Sequence, residues 1–258
     1  MRIFSVILVL VLALTAGSAG AQVLPSTDPG SSVRTRADLE RLLGEYERAL
    51  SSPVYSESVK RTIRADADLI RGRLTNGDFR VGDRIVLFVQ GEPNLPDTVP
   101  VEPGPMIALP LFGEISLAGV LRSEIAGHLT RELARFIRNP IVRANGHMRL
   151  SVQGAVARPG FYTMPAEMLL GEALMVAGGP GQNSNMDDVR IERGTRALIE
   201  GEALQEAIRE GLTLDQLNLQ AGDQIVVPER SAGGWLRNVG IVTGIVGSLS
   251  TLIYLFTR

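Results

Sequence analysis

The residue types able to do acid–base or metal chemistry are few here, and they are spaced badly for it. Histidine occurs twice, at His128 and His147, separated by a helix end and outside any metal-ligand spacing. Asp66 and Asp68 fall on the polar side of a predicted helix, and Asp187-Asp188 falls in a Gly/Asn-rich turn. Hydrolysis of a glycosidic bond needs two carboxyls opposed across a sugar, which neighbours in sequence do not supply, so these aspartates are expected on solvated faces. Residues 177–184, "AGGPGQNS", have the glycines of an anion-binding loop. They lack the Gly-Lys-Ser/Thr ending that brings a lysine and a metal-binding hydroxyl, and are expected to be a helix terminus and loop. The chain has no cysteine, which excludes thiol catalysis, disulfides, cysteine-ligated metals and an amino-terminal lipid-bearing cysteine. The expectation is a protein that is not an enzyme, with no catalytic residue, no metal and no cofactor.

Two stretches carry binding chemistry instead. In "ARPGFYTM", Arg158, Phe161 and Tyr162 offer a cation and two rings; aromatic faces cover apolar sugar faces, and a guanidinium donates several hydrogen bonds. They are the candidate glycan contact. The alternative is structural, with Pro159-Gly160 turning a hairpin and Phe161 entering the core.

The second stretch ends the chain, "GWLRNVGIVTGIVGSLSTLIYLFTR", with no charge between Arg237 and Arg258. About twenty residues at ~1.5 Å each reach ~30 Å, the thickness of a bilayer's hydrocarbon core, so residues 235–257 are expected to form a transmembrane helix. Trp235, Arg237, Tyr254 and Arg258 suit its membrane interfaces. Gly240, Gly244, Gly247 and Thr251 recur at steps of four, three and four, a small-residue stripe that includes a G-x-x-x-G close-approach motif. The stripe is expected either to seal helix to helix or to face a lumen in a ring of copies; the plain alternative is a lone tail anchor with an incidental stripe.

The elements that must position these residues follow from composition and periodicity. With 45% hydrophobic and 21% charged residues, the chain can bury a substantial core. A net charge of −2 from 26 basic and 28 acidic residues leaves no electrostatic footprint for nucleic acid. Residues 1–21 read as a secretory signal peptide: Arg2, an apolar run from Ile3 to Leu14, then Ala19-Gly20-Ala21 as an A-x-A site. Residues 22–32 are a flexible leader. Residues 33–75 place Val33, Leu39, Leu42, Leu43, Tyr46 and Leu50, then Val59, Ile63, Ile70 and Leu74, at helical spacing around the breaker Ser51–Pro53, which predicts a helical hairpin.

Strand alternation begins after Asn76-Gly77 with Ile85, Leu87 and Val89, and an amphipathic helix is predicted over Leu121–Ile137. This gives a small α/β unit over 77–146. A second unit over 147–230 alternates Met148, Leu150 and Val152, turns at Arg158-Pro159-Gly160, and holds a short helix ending at Gly178-Gly179. Strands are predicted at "DDVRIERG" and "QIVVPER", with a helix at Glu202–Gly211. The phrase Gly82-Asp83-Arg84-Ile85-Val86 returns as Gly222-Asp223-Gln224-Ile225-Val226; a shared turn-then-strand device explains it more simply than a duplicated domain.

On these residues the chain resembles the outer-membrane polysaccharide export protein family. "VGDRIVLFVQGEP" with "ALPLFGEISLAGVLRSEIAGHLTREL" is similar to the family's polysaccharide-export domain. "VQGAVARPGFYTM", "LMVAGGPG", "VRIERG" and "LQAGDQIVVPE" are similar to the β-grasp SLBB domain that follows it. The resemblance covers about Gly77 to Glu229. It implies an α+β protein with a polysaccharide-export domain and a β-grasp domain, here with an N-terminal helical hairpin and a C-terminal transmembrane helix. Functionally it implies an outer-membrane ring homo-oligomer exporting capsular or extracellular polysaccharide, its domains in the periplasm. The polysaccharide chain, membrane lipid and an inner-membrane assembly or co-polymerase protein would be its partners. The alternative is a membrane-anchored module that holds a glycan or a protein without forming a pore.

Overall fold

The computed structural model describes residues 33–230. The expected signal peptide (1–21), leader (22–32) and terminal helix (235–257), with Trp235, Arg237, Gly240, Gly244, Gly247, Thr251, Tyr254 and Arg258, lie outside the described residues. Among the described residues no helix is long and apolar enough to cross a membrane.

Two helices come first, α1 (Arg36–Ser51) and α2 (Glu57–Asn76). Each starts on a polar cap. The Thr35 hydroxyl accepts from the Asp38 amide while the Asp38 carboxylate accepts from the Thr35 amide, and Ser56 caps α2 through Val59. Gly77 ends α2 at φ +76°, with its N–H on Arg73 O. The helices close around Leu39 and Ile70 together with Leu121 from the next unit, a core far smaller than the other two.

The next unit supplies β1 (Arg84–Val89), β2 (Thr98–Pro100), β3 (Met106–Leu109), β4 (Gly113–Ser116), a 3-10 turn at Arg122–Glu124 and α3 (Ile125–Leu133). The predicted helix over Leu121–Ile137 is thus shorter than its apolar spacing suggested: it opens as a 3-10 turn and stops at Leu133, ahead of Asn139-Pro140. Next comes β5 (Val142–Gly154), thirteen residues that run through the expected 146/147 boundary between units. The second unit continues as β6 (Gly160–Pro165), α4 (Leu170–Val176), β7 (Arg190–Arg193), β8 (Arg196–Glu200), α5 (Glu202–Arg209) and β9 (Gln224–Val227).

β5 is the spine of the seven-stranded sheet. Its first half pairs antiparallel with β1, from Arg84↔His147 to Val89↔Val142. Its second half pairs antiparallel with β6 and parallel with β9. Its inward side chains therefore belong to two cores in sequence. Ala144 packs with Ile85, Leu87, Ile125, Leu129 and Leu133; Met148, Leu150 and Val152 pack with Leu170, Leu174, Ile191 and Ile225.

The two Gly-Asp phrases make the same turn. Gly82 and Gly222 take φ +101° and +91°. Asp83 and Asp223 each accept, through Oδ2, the amide three residues earlier, Arg80 and Gln220, both at 2.8 Å. The turns also meet: a methyl added at Gly82 would lie 3.9 Å from Ala221 Cβ.

Candidate functional site

Strand alternation fixes what one face of the large sheet shows. With Met148, Leu150 and Val152 inside, the odd-numbered side chains of β5 face outward. Register places Arg84, Val86 and Phe88 of β1 opposite His147, Asn145 and Arg143, and Thr163 and Phe161 of β6 opposite Arg149 and Ser151. Phe88 is 55% and Phe161 68% exposed. The strands β1, β5 and β6 carry no carboxylate at all. The result is a cationic face with two exposed rings crossing both units.

The stretch "ARPGFYTM" is split by the sheet. Phe161 and Tyr162 are consecutive in β6 and point to opposite faces. Tyr162 packs against the inner core, and its hydroxyl donates to Arg158 O at 2.5 Å. The Arg158 Nη2 donates to Val176 O at 3.1 Å, capping the end of α4. Phe161 does not enter the core, correcting the structural alternative, and its cationic partner is Arg149 rather than Arg158. The Arg149 guanidinium carbon lies 4.5 Å from the Phe161 ring centroid. Stacking of this kind contributes about 0.5–1 kcal/mol at exposed sites and holds the guanidinium plane, whose N–H groups point to no acceptor among the described residues. A ring with a fixed guanidinium beside it can cover a sugar face and donate to its hydroxyls. Arg149 was legible in principle: with the hairpin turning at Pro159-Gly160, it is the diagonal cross-strand neighbour of Phe161.

The remaining chemistry-bearing residues stay apart. His128 Nε2 is 2.8 Å from Ser116 O. His147 stands on the sheet face, its Nδ1 without a hydrogen-bond partner. Asp187 and Asp188 are exposed in a 3-10 turn. Asp68 is solvent-facing, with Arg71 Nη1 at 2.8 Å. Asp66 departs from the solvated-face expectation: burial between α2 and the second unit pushes its carboxyl up to about 6, against the nearby charges of Arg196 and Arg34. The residues of "AGGPGQNS" form a helix end and loop, with Gly178 and Gly179 at φ +86° and +77°. No cluster of three or more His, Cys, Asp or Glu suited to a metal occurs among the described residues.

A buried ionic network joins all three units. The Arg73 side chain is 1% exposed at the end of α2. Its Nε and Nη2 donate to Asp78 Oδ1 and Oδ2 at 2.7 and 3.0 Å, and Nη2 also donates to Asp215 Oδ1 at 2.7 Å. Its Nη1 reaches Asp215 O at 3.1 Å and Asn218 Oδ1 at 2.9 Å. Arg122 donates its backbone N–H to Asp78 Oδ2 at 3.0 Å and Nη1 to Asp215 Oδ1 at 3.1 Å. The second oxygen of Asp215 accepts the Arg34 amide at 2.9 Å. Burial alone would raise the Asp78 carboxyl, but the Arg73 hydrogen bonds and charge, with Arg122, hold it below the ordinary range. Nearby Asp83 has no such partner: burial lifts it to about 6, and its Oδ1 has no hydrogen bond. Sequence reading missed the network. Its one signal is Arg73 continuing the buried spacing Ile63, Ala67, Ile70.

Two family models match in the order of the two units: polysaccharide biosynthesis/export protein over residues 75–146 and SLBB domain over residues 149–205. The chain thus carries a segment matching the polysaccharide biosynthesis/export family followed by one matching the SLBB domain, the order the resemblance implies. It is similar to the EPS I polysaccharide export outer membrane protein EpsA of Ralstonia solanacearum, with 32% identity over 149 residues. That alignment covers 54% of this chain and 38% of the relative, so the chain spans well under half of the relative it matches.

Proposed function

We propose that this chain is an outer-membrane component of a polysaccharide-export assembly, and that the growing or departing glycan runs along the open sheet face. The exposed Arg149–Phe161 stack is the observation that carries the second part. It offers weak, preorganised contacts to sugar hydroxyls and ring faces, and weakness suits the task, because a tightly binding surface stalls a moving polymer. The two matched family models and the similarity to an outer-membrane polysaccharide export protein support the first part. In this reading several copies form a ring, residues 235–257 carry each copy across the membrane, and the stripe Gly240, Gly244, Gly247 and Thr251 lies at helix contacts or along a lumen. The reaction is transport without a catalytic step, and an inner-membrane assembly protein hands over the polymer.

Secretion by Phe161→Ala and Arg149→Ala strains tests this reading, alongside the mass of the detergent-purified full chain. Secreted polymer is expected to fall about two- to fivefold, as loss of a contact of ~0.5–1 kcal/mol implies, with chain abundance and oligomer mass unchanged. Normal secretion by both variants removes the sheet face from the path. A wild-type mass equal to one chain refutes the ring.

A further inference from the structure

A second surface, sharing no residue with the sheet face, gathers guanidinium groups that form no salt bridge among the described residues. Arg61 and Arg64 stand one turn apart on the outer side of α2, and Arg196, the first residue of β8, faces them from the second unit. Together with Ala65, Asp68 and Leu69 they line a cleft of about 360 Å³. None of the three arginines makes an ion pair among the described residues. Asp68 is already committed to Arg71, and Asp66, buried on the same helix, offsets the charge of Arg196. Arg61 and Arg64 therefore leave the cleft with an excess of positive charge over the one carboxylate, Asp68, in its lining. Like charges held at one opening from two separate units favour an anion there, since each added guanidinium strengthens its binding.

We propose that this cleft binds an acidic sugar unit, through a uronate carboxylate or a sugar phosphate. The cleft is shallow and open to solvent, with room for a sugar ring beside the acid. Ala65 and Leu69 give it an apolar patch on which a sugar ring can lie, while the guanidiniums take the acid in the bidentate geometry suited to carboxylate and phosphate. The site joins the helical hairpin to the second unit, so an occupied cleft links two parts of the chain through the ligand. This assignment does not depend on the sheet face being the polymer path.

The test is a ligand-observed NMR titration of detergent-purified full chain with glucuronate, glucose 1-phosphate, glucose and inorganic phosphate. Glucuronate or glucose 1-phosphate is expected to bind about tenfold more tightly than glucose, with affinity falling about tenfold in Arg64→Ala and in Arg196→Ala, the loss of one charge-assisted contact. All three arginines are exposed, so the unfolding midpoint of each variant should match wild type. Inorganic phosphate binding as tightly as the sugar acids would overturn the sugar assignment. Retained affinity in Arg61→Ala, Arg64→Ala and Arg196→Ala, with loss in Arg149→Ala, would overturn the site and move the acid to the sheet face.

Discussion

Asp215→Ala should be among the most damaging single changes in the described chain. Asp215 is fully buried and accepts hydrogen bonds from Arg73, Arg122 and the Arg34 amide. Its removal leaves the buried Arg73 guanidinium with the single carboxylate of Asp78, and the buried Arg122 guanidinium with only the backbone carbonyls of Asp78 and Leu219. Breaking a buried ion pair by deleting one partner costs about 3–5 kcal/mol, a large part of the roughly 5–15 kcal/mol that holds a domain folded. Because its partners come from the hairpin and the first unit while Asp215 belongs to the second, the loss should also uncouple the units. Urea unfolding followed by circular dichroism is expected to show a midpoint shift of that size and a lower m-value, the mark of unfolding that no longer exposes all surface in one step. Arg193→Ala is the control. Arg193 pairs with Asp223 inside the second unit and is 29% exposed, so its loss should leave the coupling intact. A cost below about 1 kcal/mol for Asp215→Ala, with m unchanged, would refute the claim that the network holds the units together.

Acid–base behaviour follows from the same buried groups. The folded chain keeps a proton on Asp83 up to about 6, against an ordinary 3.8, so between pH 4 and 6 the native state binds the extra proton and stability falls as pH rises. The gap corresponds to roughly 3 kcal/mol when fully expressed; Asp66 adds a change of the same sign. Asp78 acts oppositely, its contribution present above pH 4 and lost on further acidification. Urea midpoints from pH 3 to 8 should therefore peak on the acid side, and Asp83→Asn should flatten the decline; a midpoint that rises steadily to pH 7 would contradict the burial argument. Gly154→Ala should be severe as well. Gly154 has φ +87°, and an added Cβ would sit 2.1 Å from Val227 O, inside the β5–β9 pairing. Thermal unfolding is expected to drop by many degrees, while Gly44→Ala, where a Cβ meets nothing within 4 Å, should leave the midpoint unchanged or raise it.

How far the sequence could be read depended on the range of the signal. Ile85, Leu87 and Val89, or Met148, Leu150 and Val152, announce strands because a one-sided core imposes period two on neighbouring residues. Gly178-Gly179 likewise announces a helix end, and the helical hairpin was visible in its apolar spacing. Alternation does not say which of two consecutive rings faces inward once a turn length is uncertain, so the sequence leaves Phe161 either exposed beside a glycan or in the core, and the fold places it outside. The helix expected over Leu121–Ile137 ran long because its apolar residues beyond Leu133 still pack without helical backbone: Ile137 lies against the first core and Phe136 stacks edge-on at 5.6 Å from Phe112. The ionic network is a long-range fact. Arg73 and Asp215 lie 142 residues apart, and only the fold brings them together.

The network also accounts for how a helical hairpin stays fixed to a sheet it barely packs against. Its own core is Leu39 and Ile70 with Leu121, edged by the half-buried Leu42, Leu43, Tyr46 and Leu74, and apolar contact is indifferent to direction. Hydrogen bonds are not indifferent. Arg36 adds a second fixed link, with Nε and Nη2 on Glu124 at 2.7 and 3.0 Å and Nη2 on Gly119 O at 2.9 Å. Replacing these charges by apolar residues of similar volume need not lower stability, since burying ions is costly to begin with. It would remove the geometric demand that sets the angle of α2. That angle is what brings Arg61 and Arg64 to face Arg196 across one cleft, so a buried pair at the base of the helix positions the charges on its outer face.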